Sequence, residues 1–213
     1  MITLFTHGTP NGIKIAIALE ETGLPYKAQF VEVFSGEGQK PDFLALSPAG
    51  KIPVIRDEET GTVVYESNAI LLYLAEKSGK LMPTATAHRF GMLELLFLQA
   101  SLQGPMFGQR MHFSFFAPEP IPYAIRRYEE QADIVDAVVE RLLDGKPFFL
   151  GQEFSIVDIT FFGWYLSAER AGFLAQGNTN LKAWFDRVKA RPAVQKVIAA
   201  APAIPLPARK IAA

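Results

Sequence analysis

A proline at the head of a short apolar run, Ile52-Pro53-Val54-Ile55, constrains this chain more than any other feature. Proline has no N–H to give a sheet ladder, so Pro53 marks a strand start, and its tertiary amide admits a cis bond to Ile52. The main chain of Ile52 is then left outside the ladder. There its N–H and C=O can pair with an extended ligand as an added strand would. Thirteen residues after Pro53 stands Glu66-Ser67-Asn68-Ala69-Ile70, where a strand at Val63–Tyr65 hands over to a helix. Ile70, Leu71 and Leu74 fall at helical spacing, and Ser67 reads as the N-cap. A helix N-terminus offers unpaired N–H groups and partial positive charge to a carboxylate, and Glu66 beside it can hold an ammonium. Singly, the segments are an ordinary strand start and an ordinary capped helix. In this order they read as a cradle for the α-amino acid head group of a small anionic peptide.

The rest of the chain divides around residue 80. Before it the pattern predicts strands at Ile2 to Phe5, Lys27 to Val31, Val54 to Arg56 and Val63 to Tyr65. Helices are expected at Gly12 to Glu21, Pro41 to Leu46 and Asn68 to Lys77, which makes a small α/β layer. Gly23 and Pro25 end the first helix, and Glu58-Glu59-Thr60-Gly61 reads as a hairpin turn. Residues 81–87 read as a linker. Residues 88–213 read as all-helical, with amphipathic stretches up to Phe115, then Pro122 to Asp144, Ser155 to Glu169 and Asn180 to Lys189, and an irregular tail from about Ala201. Gly104-Pro105 is expected to interrupt the first of these, and Ser155 with Asp158 fits a capping box.

Hydrophobic residues make up 49% of the 213, enough for a substantial core. A net charge of −1 with no long basic run gives nucleic acid or an anionic membrane nothing to bind. The chain opens on an apolar strand rather than a basic leader with a long apolar stretch, so the cytoplasm is the expected location. There is no cysteine, which excludes a protein thiolate. Any thiol chemistry must use a thiol carried by the ligand. His7, His88 and His112 lack the spacing of a metal site, so no metal is expected, and Phe113, Phe115 and Phe116 read as core.

The proline-headed strand, the acidic residue before serine at a helix start and the following helical region resemble the cytosolic glutathione transferases over almost the whole chain. Three motifs are similar to the bacterial nu class and the Ure2-like proteins: Thr9-Pro10-Asn11-Gly12; Gly104-Pro105-Met106 with Gly108-Gln109; and Ile121-Pro122-Tyr123-Ala124-Ile125 with Arg127-Tyr128. The resemblance implies a thioredoxin-like α/β domain over residues 1–80 followed by an all-α domain. It implies glutathione as co-substrate, a homodimer, and glutathione-dependent reduction of disulfides. On this resemblance Ile52 holds the cysteinyl part of glutathione through its main chain, and Glu66 and Ser67 hold the γ-glutamyl end. Lys51 and Gln39 lie near the glycyl carboxylate, although the family's Gly-x-Gln segment is shifted by one residue in Gly36-Glu37-Gly38-Gln39. Arg127 matches an arginine that reaches across a dimer interface toward a second glutathione.

Many members of that superfamily activate the thiol with a tyrosine, serine or cysteine near the first helix, and here the loop reads Phe5-Thr6-His7-Gly8-Thr9-Pro10-Asn11. Asn11 and Thr9 stand at a helix N-terminus, which favours a thiolate, and are assigned to the glutathione sulfur. Lowering a thiol from about 8.5 to roughly 6.5 raises its ionised fraction at pH 7 by about 25-fold, and the loss of nucleophilicity returns roughly 8-fold of that. Alignment of thiolate and disulfide is worth more, on the order of 7 kcal/mol in well-oriented cases. Two other readings are open at this point: conjugation of electrophiles or reduction of hydroperoxides, which needs an apolar pocket beside the sulfur, and a glutathione-binding regulatory protein with little catalysis.

Overall fold

The computed structural model describes residues 1–83, 86–174, 177–201 and 204–210. Strands β1 (Ile2–Thr6), β2 (Tyr26–Phe30), β3 (Val54–Asp57) and β4 (Val63–Tyr65) form one sheet in the order β2-β1-β3-β4. β1 runs parallel to β2 and antiparallel to β3, with Phe5 opposite Val54, and β3 runs antiparallel to β4, with Val54 opposite Tyr65. Alternation along the strands divides the core. Ile2, Leu4 and Ile55 face the main apolar cluster, whereas Phe5 and Val54 face a smaller one with Val31, Phe43 and Ile52.

Helix α1 (Pro10–Thr22) follows β1, α2 (Pro41–Leu44) precedes β3, and α3 (Ser67–Ser78) follows β4. Gly23 closes α1 at φ 75°, donating its N–H to the Leu19 carbonyl, as its place ahead of Pro25 predicts. α1 is buried over most of its circumference because it is packed between the sheet, α3 and the helical domain.

After α3 come α4 (Thr86–Leu98), whose first two residues fall within the stretch expected as a linker, then α5 (Gly104–Met111), α6 (Pro122–Leu142), α7 (Ile156–Arg170), α8 (Thr179–Lys189) and α9 (Pro192–Ala200). The fold is therefore a thioredoxin-like layer followed by an all-helical domain. Two expectations need correction. Gly104-Pro105 does not interrupt the first long helix, because the turn before it, Gln99–Gln103, is π-helical. The wider register lets the Gly104 N–H reach the Gln99 carbonyl and accommodates a proline that has no N–H to give. α9 was not foreseen, and residues 204–210 after it have no regular structure but are held to the helical domain. Ser114 C=O accepts the Lys210 N–H at 2.7 Å, and Arg209 pairs with Glu129 at 3.0 Å.

The capping box is present: Ser155 Oγ accepts the Val157 N–H and Asp158 accepts the Ser155 N–H. Asp158 also accepts from Phe149 N–H and Trp184 Nε1, tying the start of α7 to α8. No helix among the described residues is long and apolar enough to cross a membrane.

Candidate functional site

The site is built on the start of α1. Thr9 is the N-cap, its Oγ1 accepting the Gly12 N–H at 3.2 Å, and Pro10 occupies the first turn. With capping done by Thr9, the Asn11 side chain is free for other work. Its Oδ1 accepts the indole N–H of Trp164 on α7 at 3.1 Å. An indole N–H can only donate, so this bond fixes which end of the carboxamide is which and leaves the NH2 of Asn11 for the pocket. Trp164 itself lies against Gly104 and Gly108, where an added Cβ would come within 3.6 and 3.3 Å of the indole. Two glycines one turn apart on α5 thus set the height of the ring that aims Asn11.

Asn11 stands where two pockets meet. The larger, about 780 Å³, includes Thr9, Gln39 and Lys51 on its α/β side and Met111, Phe116 and Trp164 on its helical side. The smaller, about 180 Å³, includes Lys51, Ile52, Tyr65, Glu66 and Ser67. Asn11, Lys51 and Ile52 belong to both. Gln39 and Lys51 are brought together by a close approach of two backbones. A Cβ on Gly38 would lie 2.2 Å from the Gly50 carbonyl, and one on Gly50 would lie 2.4 Å from Gln39 Nε2. Arg127 is exposed on α6 and lines neither pocket.

The Ile52–Pro53 peptide bond is cis. Since β3 has a neighbour on each side, the main chain available to a ligand is that of Ile52 ahead of the strand, not a sheet edge. At the other end the expected cap is displaced by one residue. Glu66, not Ser67, is the N-cap of α3, and it takes φ 68°, ψ 116°. A positive φ on a non-glycine residue costs about 1–3 kcal/mol and persists only where its surroundings hold it. The Glu66 carbonyl accepts the Ile70 N–H, and no side chain caps the helix.

Ser67 opens α3 with its hydroxyl 3.5 Å from the ammonium of Lys14. Lys14 is 1% exposed, and its Nζ also donates to Gln99 Oε1 at 3.2 Å. Burial pushes the Lys14 ammonium down to about 7, against a partial upward pull from the Glu66 carboxylate. Gln99 further accepts from Thr160 Oγ1 and Asn68 Nδ2, so the floor beneath the small pocket is a buried polar network linking α1, α3 and α7.

Of the aromatic triplet, Phe115 is core, but Phe116 is 46% exposed and lines the large pocket, because the π-helical turn His112–Phe116 rotates it out. Phe113 stacks on Tyr128. His7 packs against Phe30 and lies 3.5 Å from Glu32, and His112 lines the large pocket. Three contributors went unforeseen: Trp164, Lys14, and the tail residues Ile204 and Leu206, which close one wall. Lys14 did carry a signal, as the only charge in the run Gly12–Leu19.

Comparison with known proteins gives the family. The family model for the glutathione S-transferase N-terminal domain matches residues 9–77, and that for the C-terminal domain matches 122–187. The disulfide-bond oxidoreductase YfcG of Escherichia coli is 37% identical over 203 residues, covering 93% of this chain and 94% of its own. A glutathione transferase family member from Pseudomonas fluorescens, solved with two glutathione molecules bound, superposes with a TM-score of 0.85 at 35% identity, covering 92% of each chain. The transferase URE2P6 of Phanerochaete chrysosporium, in complex with oxidized glutathione, does so with 0.86 at 35%, covering 93% of this chain and 95% of its own. On its two matched domains and its near full-length likeness to these proteins, the chain belongs to the glutathione S-transferase family.

Proposed function

We propose that this protein is a glutathione-dependent thiol–disulfide oxidoreductase of the nu type, acting as a cytoplasmic homodimer on small disulfides. The observation that carries the reading is the Asn11 carboxamide, oriented by Trp164 at the head of α1 and standing between a small pocket lined by Ile52, Glu66 and Ser67 and a larger one. In this reading Ile52, Glu66 and Ser67 hold the ligand's cysteinyl and γ-glutamyl parts, Lys51 and Gln39 its glycyl carboxylate, and Asn11 with Thr9 its sulfur. The bound thiolate attacks a disulfide sulfur, the disulfide bond breaks, and the departing sulfur leaves as a thiolate that takes a proton. A second glutathione thiolate then attacks the glutathione sulfur of the mixed disulfide, forming glutathione disulfide and expelling the substrate's remaining sulfur as a thiolate that takes a proton. No protein cysteine is needed, and the chain has none. The name of YfcG and the ligands of the neighbouring structures support the choice.

Conjugation of electrophiles is the second reading, and the apolar side of the large pocket favours it: Phe34, Met111, Phe116, Ile204 and Leu206 could receive an aromatic substrate. The deciding experiment is reduction of 2-hydroxyethyl disulfide by glutathione, coupled to glutathione reductase, beside conjugation of an aromatic chloride on the same preparation. Disulfide turnover well above conjugation is expected, and the reverse would replace the proposal with the second reading. Arg127 would act only across a subunit boundary, so a monomer in sedimentation would remove it from the site.

A further inference from the structure

We propose that Lys14 is the charge selector of the small pocket, a buried amine behind Ser67 that becomes an ammonium when a carboxylate settles at the N-terminus of α3. The inference rests on the glutathione reading and extends it to a residue that lines neither pocket.

The geometry is unusual for a core lysine. Among the described residues its nitrogen has only neutral partners, Ser67 Oγ at 3.5 Å and Gln99 Oε1 at 3.2 Å. The elements packed around it bring few charges. α3 contributes Glu66 at its cap, the one charged group whose field acts on it among the described residues. The π-helical turn contributes the neutral Gln99. α7 contributes Thr160, bonded to the same Gln99 oxygen, and Gly163, where a Cβ would come 2.8 Å from Lys14 Cγ. A glycine at that point leaves room for the lysine stem and directs the ammonium toward α3. A cation placed there without a carboxylate against it weakens the free protein and gains when an anion arrives one hydroxyl away. Glu66 on the open side and Lys14 behind then select a zwitterion, the ammonium toward one and the carboxylate toward the other.

The consequence is proton linkage. With Lys14 lowered to about 7, most of it is neutral at pH 8 in the free protein. A carboxylate within about 4–6 Å raises such a group by about 1–3 pH units, so roughly 0.4–0.9 proton is taken up per ligand at pH 8. Affinity should fall about 5- to 20-fold between pH 6.5 and 8.5.

The test is calorimetry with S-methylglutathione, which has no ionisable thiol, in buffers of different ionisation enthalpy, on wild type and Lys14→Met. The ligand's own amine contributes equally to both, so the difference between them belongs to Lys14. Greater uptake by wild type, with an affinity advantage that narrows as pH rises, is the expected result. Equal uptake in the two overturns the inference and leaves the glutathione reading standing. No binding to wild type at millimolar ligand overturns both. Should the variant bind too weakly or misfold, wild type labelled at lysine 13Cε decides: the Lys14 signal must move toward its ammonium position on saturation, and a fixed signal overturns the inference.

Discussion

Asn11 and Trp164 separate two contributions that a static view runs together. If the Asn11 NH2 donates to the sulfur, Asn11→Ala should lower disulfide turnover about 10- to 100-fold, as loss of one hydrogen bond to a charged group worth about 1.5–3 kcal/mol implies. Glutathione affinity should change less than about 3-fold, since the cradle is untouched. Trp164→Phe retains the ring against Gly104 and Gly108 but removes the N–H that holds Asn11. Loss of one hydrogen bond of about 1 kcal/mol predicts a drop of about 5-fold in kcat, with the Asn11→Ala background insensitive to it. Equal effects in both backgrounds would show that Trp164 does not act through Asn11. Lys14 makes a separate prediction about stability. In the unfolded chain it ionises near 10.4, in the folded protein near 7, so between those values the unfolded state binds more protons and stability rises with pH. Below about 7 the folded state bears the full burden. Lys14→Met should therefore raise Tm at pH 6.5, by a stabilisation on the order of 4 kcal/mol at most, and the gap should close toward pH 10. A Tm difference independent of pH would argue against a buried titrating lysine.

At the scale of elements, the strand and helix positions were legible where a single local rule governs them. Pro53 starts β3 within one residue of the expected place, Gly23 ends α1, and Ser155 with Asp158 starts α7. The failures came where a second element decides. Ser67 looks like a cap by residue type, but Glu66 carries the turn at positive φ. Gly104-Pro105 looks like a break, but the preceding π-helical turn absorbs the proline, and the second π-helical turn brings Phe116 to the cavity. Neither turn has a composition rule that announces it. The same contrast explains why Asp158 is more than a cap. Its buried carboxylate accepts from Ser155 N–H and Oγ, Phe149 N–H and Trp184 Nε1, and burial pushes it upward despite these four donors. Asp158→Ala would strand those donors and should cost about 3–5 kcal/mol, read as a lower urea midpoint. Asp158→Asn keeps an acceptor and should fall between. A loss below about 1 kcal/mol for alanine would mean that the cap and the link to α8 are dispensable.

On the scale of the whole molecule, the site is one that no contiguous stretch of sequence could display in full. Its α/β half is written in short motifs, Thr9 to Asn11, Gly50 to Pro53 and Glu66 to Ser67, because main-chain recognition needs the local turn that each motif makes. Its helical half comes from α5, α7 and the tail, and the Asn11–Trp164 hydrogen bond spans 153 residues. Only packing of the two domains creates that half. The tail is the extreme case, since Ile204 and Leu206 reach the large pocket from a segment without regular structure, fastened by Lys210 N–H to Ser114 and by Arg209 to Glu129. Arg209 also lies 4.6 Å over the Phe173 ring, a third point of attachment. If this wall receives the second substrate, deleting residues 204–213 should raise KM for an aromatic disulfide about 3- to 10-fold, the loss expected when one apolar side chain no longer covers the substrate. The dissociation constant of glutathione should change less than about 2-fold, because no described tail residue lines the small pocket. A shorter disulfide such as 2-hydroxyethyl disulfide should be affected less than the aromatic one. A uniform loss across both disulfides, with weaker glutathione binding, would instead assign the tail a role in holding the two domains together, and the specificity of the large pocket would then rest on its remaining apolar lining, Phe34, Met111 and Phe116 among it.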